Sequence, residues 1–250
     1  MNDKLKLRKL FSQPLLTSVS IGVSLAAAIV FASIPSSAQI NLAILLEILG
    51  DENGVFIQEQ VAEENDDAIL GQEVRTEEAR AQLVFNNGAA GRVDENSSVV
   101  VGQCIEVEQG SLVTSGPANG CLSDFGVGVE GTIYVMLVNL DNVGQINVLE
   151  GEVELRRQDN LGNPNPLIIE AGQKAIGLVQ GLALDNVVIE PLTKEEYEAI
   201  ITGSLFRGYK AQLPGEDKIN QVCQRLYGDC LAVGSEPPES GTETPIRGFW

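Results

Sequence analysis

No histidine occurs among the 250 residues. That absence excludes Ser-His-Asp and Cys-His catalysis, histidine-ligated zinc and a histidine pH switch, because each needs an imidazole titrating near neutrality. Aromatic residues are also scarce, at 5% of the chain, too sparse for a sugar-stacking platform. Positive charge is short as well: 16 Lys and Arg stand against 35 Asp and Glu, a net charge of −19. Such a surplus disfavours electrostatic binding to nucleic acid or to an anionic membrane surface.

What is present begins with a leader. Lys4, Lys6, Arg8 and Lys9 precede an uncharged, largely apolar run over residues 15–34, followed by Pro35-Ser36-Ser37-Ala38. Ser36 and Ala38 are the small residues of a signal-peptidase site, which predicts cleavage before Gln39 and export to the periplasm or beyond a Gram-negative-type envelope. The competing reading is an uncleaved inner-membrane anchor, since about 20 apolar residues span a bilayer. Contact with a membrane is expected only in that case. Removing four bases and one acid (Asp3) with residues 1–38 takes 16 and 35 to 12 and 34, a net charge of −22.

The four cysteines, Cys104, Cys121, Cys223 and Cys230, are even in number in an exported chain, which favours two disulfides. Three pairings are possible, and local pairing is expected. In one straight helix, Cys223 and Cys230 would stand about 10 Å apart along the axis, too far for a bridge. Gly228 between them can end a helix and fold Cys230 back. A zinc site is disfavoured by the lack of histidine and of any Cys-x-x-Cys pair.

Residues 43–179 are dominated by short apolar and β-branched runs, broken by turn signals at Asn87-Gly88, Asp141-Asn142-Val143-Gly144 and Asp159-Asn160-Leu161-Gly162. Alternation such as Ile105-Glu106-Val107 and Val153-Glu154-Leu155 predicts half-buried strands with acids outward. From residue 81 to 155 there are ten acids and one base, Arg92. Glycines 88, 110, 131, 151 and 172 are spaced 22, 21, 20 and 21 residues apart. The fold predicted is all-β, a β-solenoid-like or two-layer stack of short strands with a period of about 21 residues. Such a stack offers little concave pocket and suits binding better than catalysis.

After Pro191, Thr193-Lys194-Glu195-Glu196 reads as a capping box opening a helix through Tyr197, Ile200 and Ile201. A second helix is expected from about Glu216, with Ile219, Val222, Cys223, Leu226 and Tyr227 on one face. The domains expected are a signal peptide over 1–38, a β domain over 39–190, a helical cap over 191–233 covering an end of the stack, and a flexible tail over 234–250. The apolar Phe249-Trp250 on that tail has no assigned role.

Candidate chemistry is thin. Glu63-Glu64-Asn65-Asp66-Asp67 could offer oxygens to calcium but lacks the spacing of a calcium loop, and reads as solvated surface. Ser97 and Ser98 have no base to activate them. Gly126-Val127-Gly128-Val129-Glu130-Gly131 mimics a dinucleotide loop but runs into strand residues 133–138. Tyr134 reads as core or sheet surface rather than a ligand contact. No cofactor, metal or catalytic residue is expected, and the chain is not expected to be an enzyme. A wall-glycan hydrolase would need two carboxylates across a cleft, and no pair stands out.

Together, Arg75-Thr76 before Ala79-Arg80-Ala81-Gln82-Leu83, then Asn87-Gly88, Asn96-Ser97-Ser98, Gln109-Gly110-Ser111-Leu112, Glu130-Gly131-Thr132, Glu150-Gly151-Glu152-Val153 and Ala171-Gly172-Gln173 resemble the FecR-type domain. The resemblance covers about residues 41–179. It implies a periplasmic all-β module of the kind that relays occupancy of an outer-membrane transporter to a σ factor, with Gly88, Gly110, Gly131, Thr132, Gly151, Gly172 and Gln173 as family-motif turn residues. About fourteen residues precede the apolar run, so the cytoplasmic arm that would hold a σ factor is not expected. The C-terminal part also departs from the family's small α/β unit. The expectation is a stand-alone, exported, non-enzymatic binding module for an envelope protein or surface polymer, with a membrane-anchored signalling component as the alternative.

Overall fold

The structure, a computed structural model, describes residues 39–158 and 165–236. The leader, the Asp159-Asn160-Leu161-Gly162 turn and Pro237–Trp250 lie outside the described residues. The strands are β1 (Leu42–Gly50), β2 (Val55–Ile57), β3 (Gln60–Val61), β4 (Asp67–Ile69), β5 (Glu73–Thr76), β6 (Ala79–Phe85), β7 (Ala90–Val93), β8 (Ser98–Val100) and β9 (Ile105–Gly116). They continue as β10 (Gly120–Leu122), β11 (Phe125–Gly128), β12 (Thr132–Val138), β13 (Gly144–Glu150), β14 (Glu152–Arg157), β15 (Leu167–Glu170), β16 (Gln173–Leu178) and β17 (Val188–Pro191). Two helices follow, α1 (Lys194–Ile201) and α2 (Asp217–Tyr227).

The chain is all-β with a small helical part, and its strands form two layers. One layer runs β4-β1-β6-β7-β9-β12-β13-β16-β17. The other runs β3-β2-β5-β8-β9-β10-β11-β14-β15. Strand β9 belongs to both: residues up to Gln109 pair in the second layer, and those from Gly110 pair in the first. The sequence suggests two strands there, at 105–107 and 112–114, and the structure joins them through Gly110. Neighbouring strands are antiparallel except β9 and β10, so the stack is made of hairpins folded over one another, whereas solenoid coils pair in parallel.

Alternation fixes which side chains enter the space between the layers. Leu45, Leu83, Phe85, Leu112, Tyr134 and Met136 from the first layer meet Val74, Ile105, Val107, Phe125, Val127 and Leu155 from the second. Each contributes roughly 1.5–3 kcal/mol by leaving water. Tyr134 is part of this core; its hydroxyl donates to the Ala118 carbonyl at 2.7 Å.

The helical segment does not cover an end of the stack. It lies on the outer face of the first layer, where Val113, Ile133, Val135 and Leu149 pack against Tyr197, Ile201, Phe206, Ile219 and Val222. The reason is visible in β12, Thr132-Ile133-Tyr134-Val135-Met136-Leu137-Val138, which is apolar on both faces and therefore needs cover on both. The first layer is thus a covered sheet, and the second is an open one. The Tyr197 hydroxyl donates to the Leu149 carbonyl at 2.7 Å, tying α1 to β13. The capping box at the head of α1 is present: Thr193 Oγ1 accepts from the Glu196 amide, and the Glu196 carboxylate accepts from the Thr193 amide.

Both disulfides are local. Cys104 joins Cys121 with Cα atoms 5.5 Å apart, and Cys223 joins Cys230 at 6.0 Å. Helix α2 stops at Gly228, φ 86°, and the chain turns back to bring Cys230 to Cys223. Two disulfides and no free cysteine place the chain in an oxidising, exported compartment. Among the described residues, no helix is long and apolar enough to cross a membrane.

Candidate functional site

The glycine series resolves into a structural column. Gly110, Gly131, Gly151 and Gly172 all mark crossings between the layers: within β9, from β11 to β12, from β13 to β14 and from β15 to β16. Between crossings the chain runs out and back, which produces the spacing of about 21 residues. The corners are bonded in succession: Ser111 donates its amide to Ser97 Oγ (3.0 Å), Thr132 Oγ1 donates to the Glu152 carbonyl (2.7 Å), and Ala171 donates its amide to the Gly151 carbonyl (3.0 Å). Gly88 is different. It sits in the β6–β7 hairpin turn, away from the crossings, because Asn87-Gly88 is a local turn signal rather than a corner. Gln173 closes its own turn, with Oε1 accepting from the Glu170 amide at 2.9 Å. Gln72, after Gly71, does the same for the Ile69 amide at 2.8 Å. This second Gly-Gln pair is legible in the sequence and was missed there. All these residues build the frame, and none presents a reactive group.

Beneath the helical layer lies a polar cluster centred on Arg92, which is 1% exposed. Its Nε donates to Gln82 Oε1 (3.0 Å), Nη1 to the Leu205 carbonyl (3.2 Å), and Nη2 to the Ala211 carbonyl (2.8 Å) and Glu216 Oε2 (2.9 Å). The Tyr209 ring covers it, 4.3 Å from Cζ to ring centre. Burial pulls the Arg92 pKa down and the Glu216 carboxylate opposes that shift. Nearby, the buried Glu47 carboxylate accepts from the Lys210 amide at 3.1 Å. The cluster anchors residues 204–216 to the covered sheet. Its one sequence signal is that Arg92 is the only base among residues 81–155.

Among the described residues, nothing forms a covering layer over the outer face of the open sheet. Glu73, Glu106, Glu108, Glu152, Glu154 and Glu170 project from it, against Arg75 and Arg156. Both bases are already engaged: Arg75 Nη1 lies 2.7 Å from Glu77 Oε1, with its Cζ 4.2 Å from the Phe56 ring centre, and Arg156 Nη2 lies 2.8 Å from Glu154 Oε2. Glu152 stands directly opposite Glu170, a like-charged cross-strand pair. Ser98 Oγ lies 2.6 Å from Glu73 Oε1 and 3.0 Å from Glu108 Oε2, so one hydroxyl proton serves two carboxylates. Across the middle run Gly126 and Gly128 of β11. A Cβ on Gly126 would meet only the Gln158 side chain at 3.9 Å and the Arg156 carbonyl at 4.0 Å; Gln158 reaches past it to Cys121 Sγ (2.9 Å), so the glycines form a shallow lane between Arg156 and the Cys121 disulfide, which separates it from Glu106. Of the Gly126–Gly131 stretch that mimics a nucleotide loop, Gly126, Val127 and Gly128 are strand and residues 129–131 make the crossing into β12.

The remaining candidates fall elsewhere. Asp66 Oδ2 accepts from the Glu63 amide (2.8 Å) and Asn65 adopts φ 77°, so that acidic stretch is a turn. An open groove of about 490 Å³ lies beside it, lined by Gln58, Glu59, Gln60, Asp66, Asp67 and Gln72 among others. Ser97 is buried at a corner and Ser98 is held by the two glutamates. Among the described residues, no three His, Cys, Asp or Glu side chains lie together as a metal-ligand set. The class this fold and face define is a two-layer β protein with one sheet covered and the other an open, acceptor-rich surface. Comparison with protein-family models and with curated proteins gives no match.

Proposed function

We propose that the protein is an exported FecR-like module, working in the periplasm or outside the cell without catalysing a reaction, which binds a basic envelope protein or surface polymer on its open sheet. The observation that carries this reading is the shortage of donors on that face: six glutamates, a like-charged Glu152–Glu170 pair and two carboxylates sharing the Ser98 hydroxyl. A partner bringing Lys or Arg donors relieves the repulsion and supplies the missing hydrogens. The Gly126–Gly128 lane gives an extended chain room to approach the backbone. The ordered FecR-like phrases, most of them at the corners and turns of the two-layer frame, support the family reading.

The test is photo-cross-linking in the native envelope from a probe placed at Gly126 on the open sheet or at Lys194 on the helical side. Adducts are expected from Gly126 alone, to be lost in the Glu106→Lys/Glu154→Lys variant and weakened by added salt. Equal adducts from both positions, or a complex indifferent to salt and charge reversal, would count against the proposal.

A further inference from the structure

Among the described residues, the helical segment covers only part of the outer face of the first layer. Towards β1 and β4 that face is exposed. Ile44 lies there between Asp67 of β4 and Val84 of β6, and Leu42 lies opposite Ile69. A bulge between Leu45 and Glu47 adds Leu46 to the same side, since Leu45 points into the core. Ile44 is 37% exposed, Leu46 39% and Ile69 55%, with Leu70 exposed at the end of β4. Other exposed aliphatics, such as Leu140, Val188 and Leu226, stand singly on separate elements. Val84 pairs with Ala90, which packs under the helical layer, so the strip continues a buried apolar face. Contiguous patches of this kind mark an interaction surface.

The two flanks of the strip carry opposite charge. On one side is the strap of residues 204–216, where Arg207 and Lys210 are exposed. The Lys210 amide donates to the Glu47 carboxylate at 3.1 Å, which sets this cation beside Leu46. Every other described base except Arg225 has a carboxylate within ion-pair distance, so these two cations are open to a partner. On the other side are Asp67 of β4 and the turn of residues 63–66, which runs along the free edge of β1. The Leu45 amide donates to the Asp66 carbonyl (2.9 Å) and the Ile48 amide to Glu64 Oε1 (3.3 Å). Strand addition to β4 is blocked, because the Ile69 amide and carbonyl are both taken by Gln72, at 2.8 and 2.9 Å. A partner must therefore dock on the face.

We propose that this partner is a second copy of the chain, in a twofold dimer. A basic flank, an apolar centre and an acidic flank make a self-complementary surface. A twofold axis lying along β1 exchanges the flanks, so Arg207 and Lys210 of each copy meet Asp67 and the 63–66 turn of the other, with the aliphatic strips closed between them. An anionic lipid surface would attract the two cations but repel Glu63, Glu64 and Asp67. A strip of four aliphatics is small beside the ~800 Å² per partner of a standard interface, so the dimer forms reversibly, in the micromolar range. Its two open sheets face away from each other, which lets a long basic partner engage both and gain avidity.

Sedimentation velocity of the exported chain over a concentration series tests the dimer. The parent should pass from monomer to dimer as concentration rises, and added salt should weaken the association. Ile44→Glu/Leu46→Glu should stay monomeric throughout, with unchanged circular dichroism and urea midpoint showing that the fold survives. Lys210→Glu and Asp67→Lys alter side chains with no ion-pair partner among the described residues. Alone, each should dimerise about tenfold more weakly, because like charges then meet at both flanks. Mixed, the two should dimerise again, since each supplies the charge the other lacks. A monomer across the whole series would overturn the proposal. So would a dimer that survives Ile44→Glu/Leu46→Glu, or charge variants that stay monomeric when mixed. Binding to phosphatidylglycerol vesicles in place of self-association, lost in Ile44→Glu/Leu46→Glu, would assign the strip to a membrane and overturn it equally.

Discussion

Arg92 Nη2 on β7 stands 2.9 Å from Glu216 Oε2 at the head of α2, a contact between residues 124 apart in sequence. The pair is shielded from water, with side-chain exposures of 1% and 12%. Removing one partner therefore leaves an uncompensated buried charge, which costs about 3–5 kcal/mol. Arg92→Ala should lower stability by that amount in urea titrations. The double variant Arg92→Met/Glu216→Gln should recover much of the loss, since no isolated charge remains. A single-variant loss under about 1 kcal/mol would show the pair to be solvated, as exposed ion pairs are.

Gly110 and Gly88 separate corner from turn. Both have positive φ, 81° and 84°. A Cβ on Gly110 would fall 2.7 Å from the Ser97 Cα, whereas one on Gly88 meets nothing within 4 Å. Gly88→Ala should cost about 1–2 kcal/mol for the left-handed backbone alone. Gly110→Ala should cost distinctly more, because Ser97 must move and the corner bond it accepts from Ser111 goes with it. The order of the two denaturation midpoints tests the corner column.

Lys174 and the Thr193 amide hold the Glu196 carboxyl below the usual carboxylate range. A lowered folded-state pKa stabilises the native protein above the unfolded-state value, and the gain is lost as pH falls through the folded-state value. Glu196→Gln should therefore destabilise at neutral pH, and the difference from the parent should fade on acidification. The effect should be small, because Glu196 is 42% exposed and solvent screens it. Paired melts at neutral and acid pH measure it, and a difference that grows on acidification would contradict the assignment.

Intact-mass analysis of the exported protein should find a start at Gln39 and four hydrogens missing for two disulfides. Peptide mapping should give Cys104–Cys121 and Cys223–Cys230. Replacing either pair with serine should cost about 2–3 kcal/mol by the loop-closure argument, slightly more for the longer 104–121 loop.

The strands were legible because alternation survives in this chain: Ile105-Glu106-Val107 and Val153-Glu154-Leu155 place their acids outside as written. The capping box at Thr193 and the stop at Gly228 were legible for the same reason, since both are local. The Arg92 cluster was not, because its partners Gln82, Tyr209 and Glu216 are spread over the chain and meet only once the helical segment has docked. The placement of that segment could have been read from β12, whose uninterrupted apolar run signals cover on both faces. Gly88 joined the glycine series by its spacing and by the apolar residue three places before it, Phe85, and neither distinguishes a hairpin turn from a crossing.

Strand β9 is the middle strand of both layers, with four neighbours to either side in each. A break in its hydrogen bonds would sever both sheets at once, so neither layer can open as an independent unit. Its amides from Val107 to Thr114 should be the last to exchange with deuterated solvent, at the rate of global unfolding, while the edges at β3, β4, β15 and β17 exchange through local fraying.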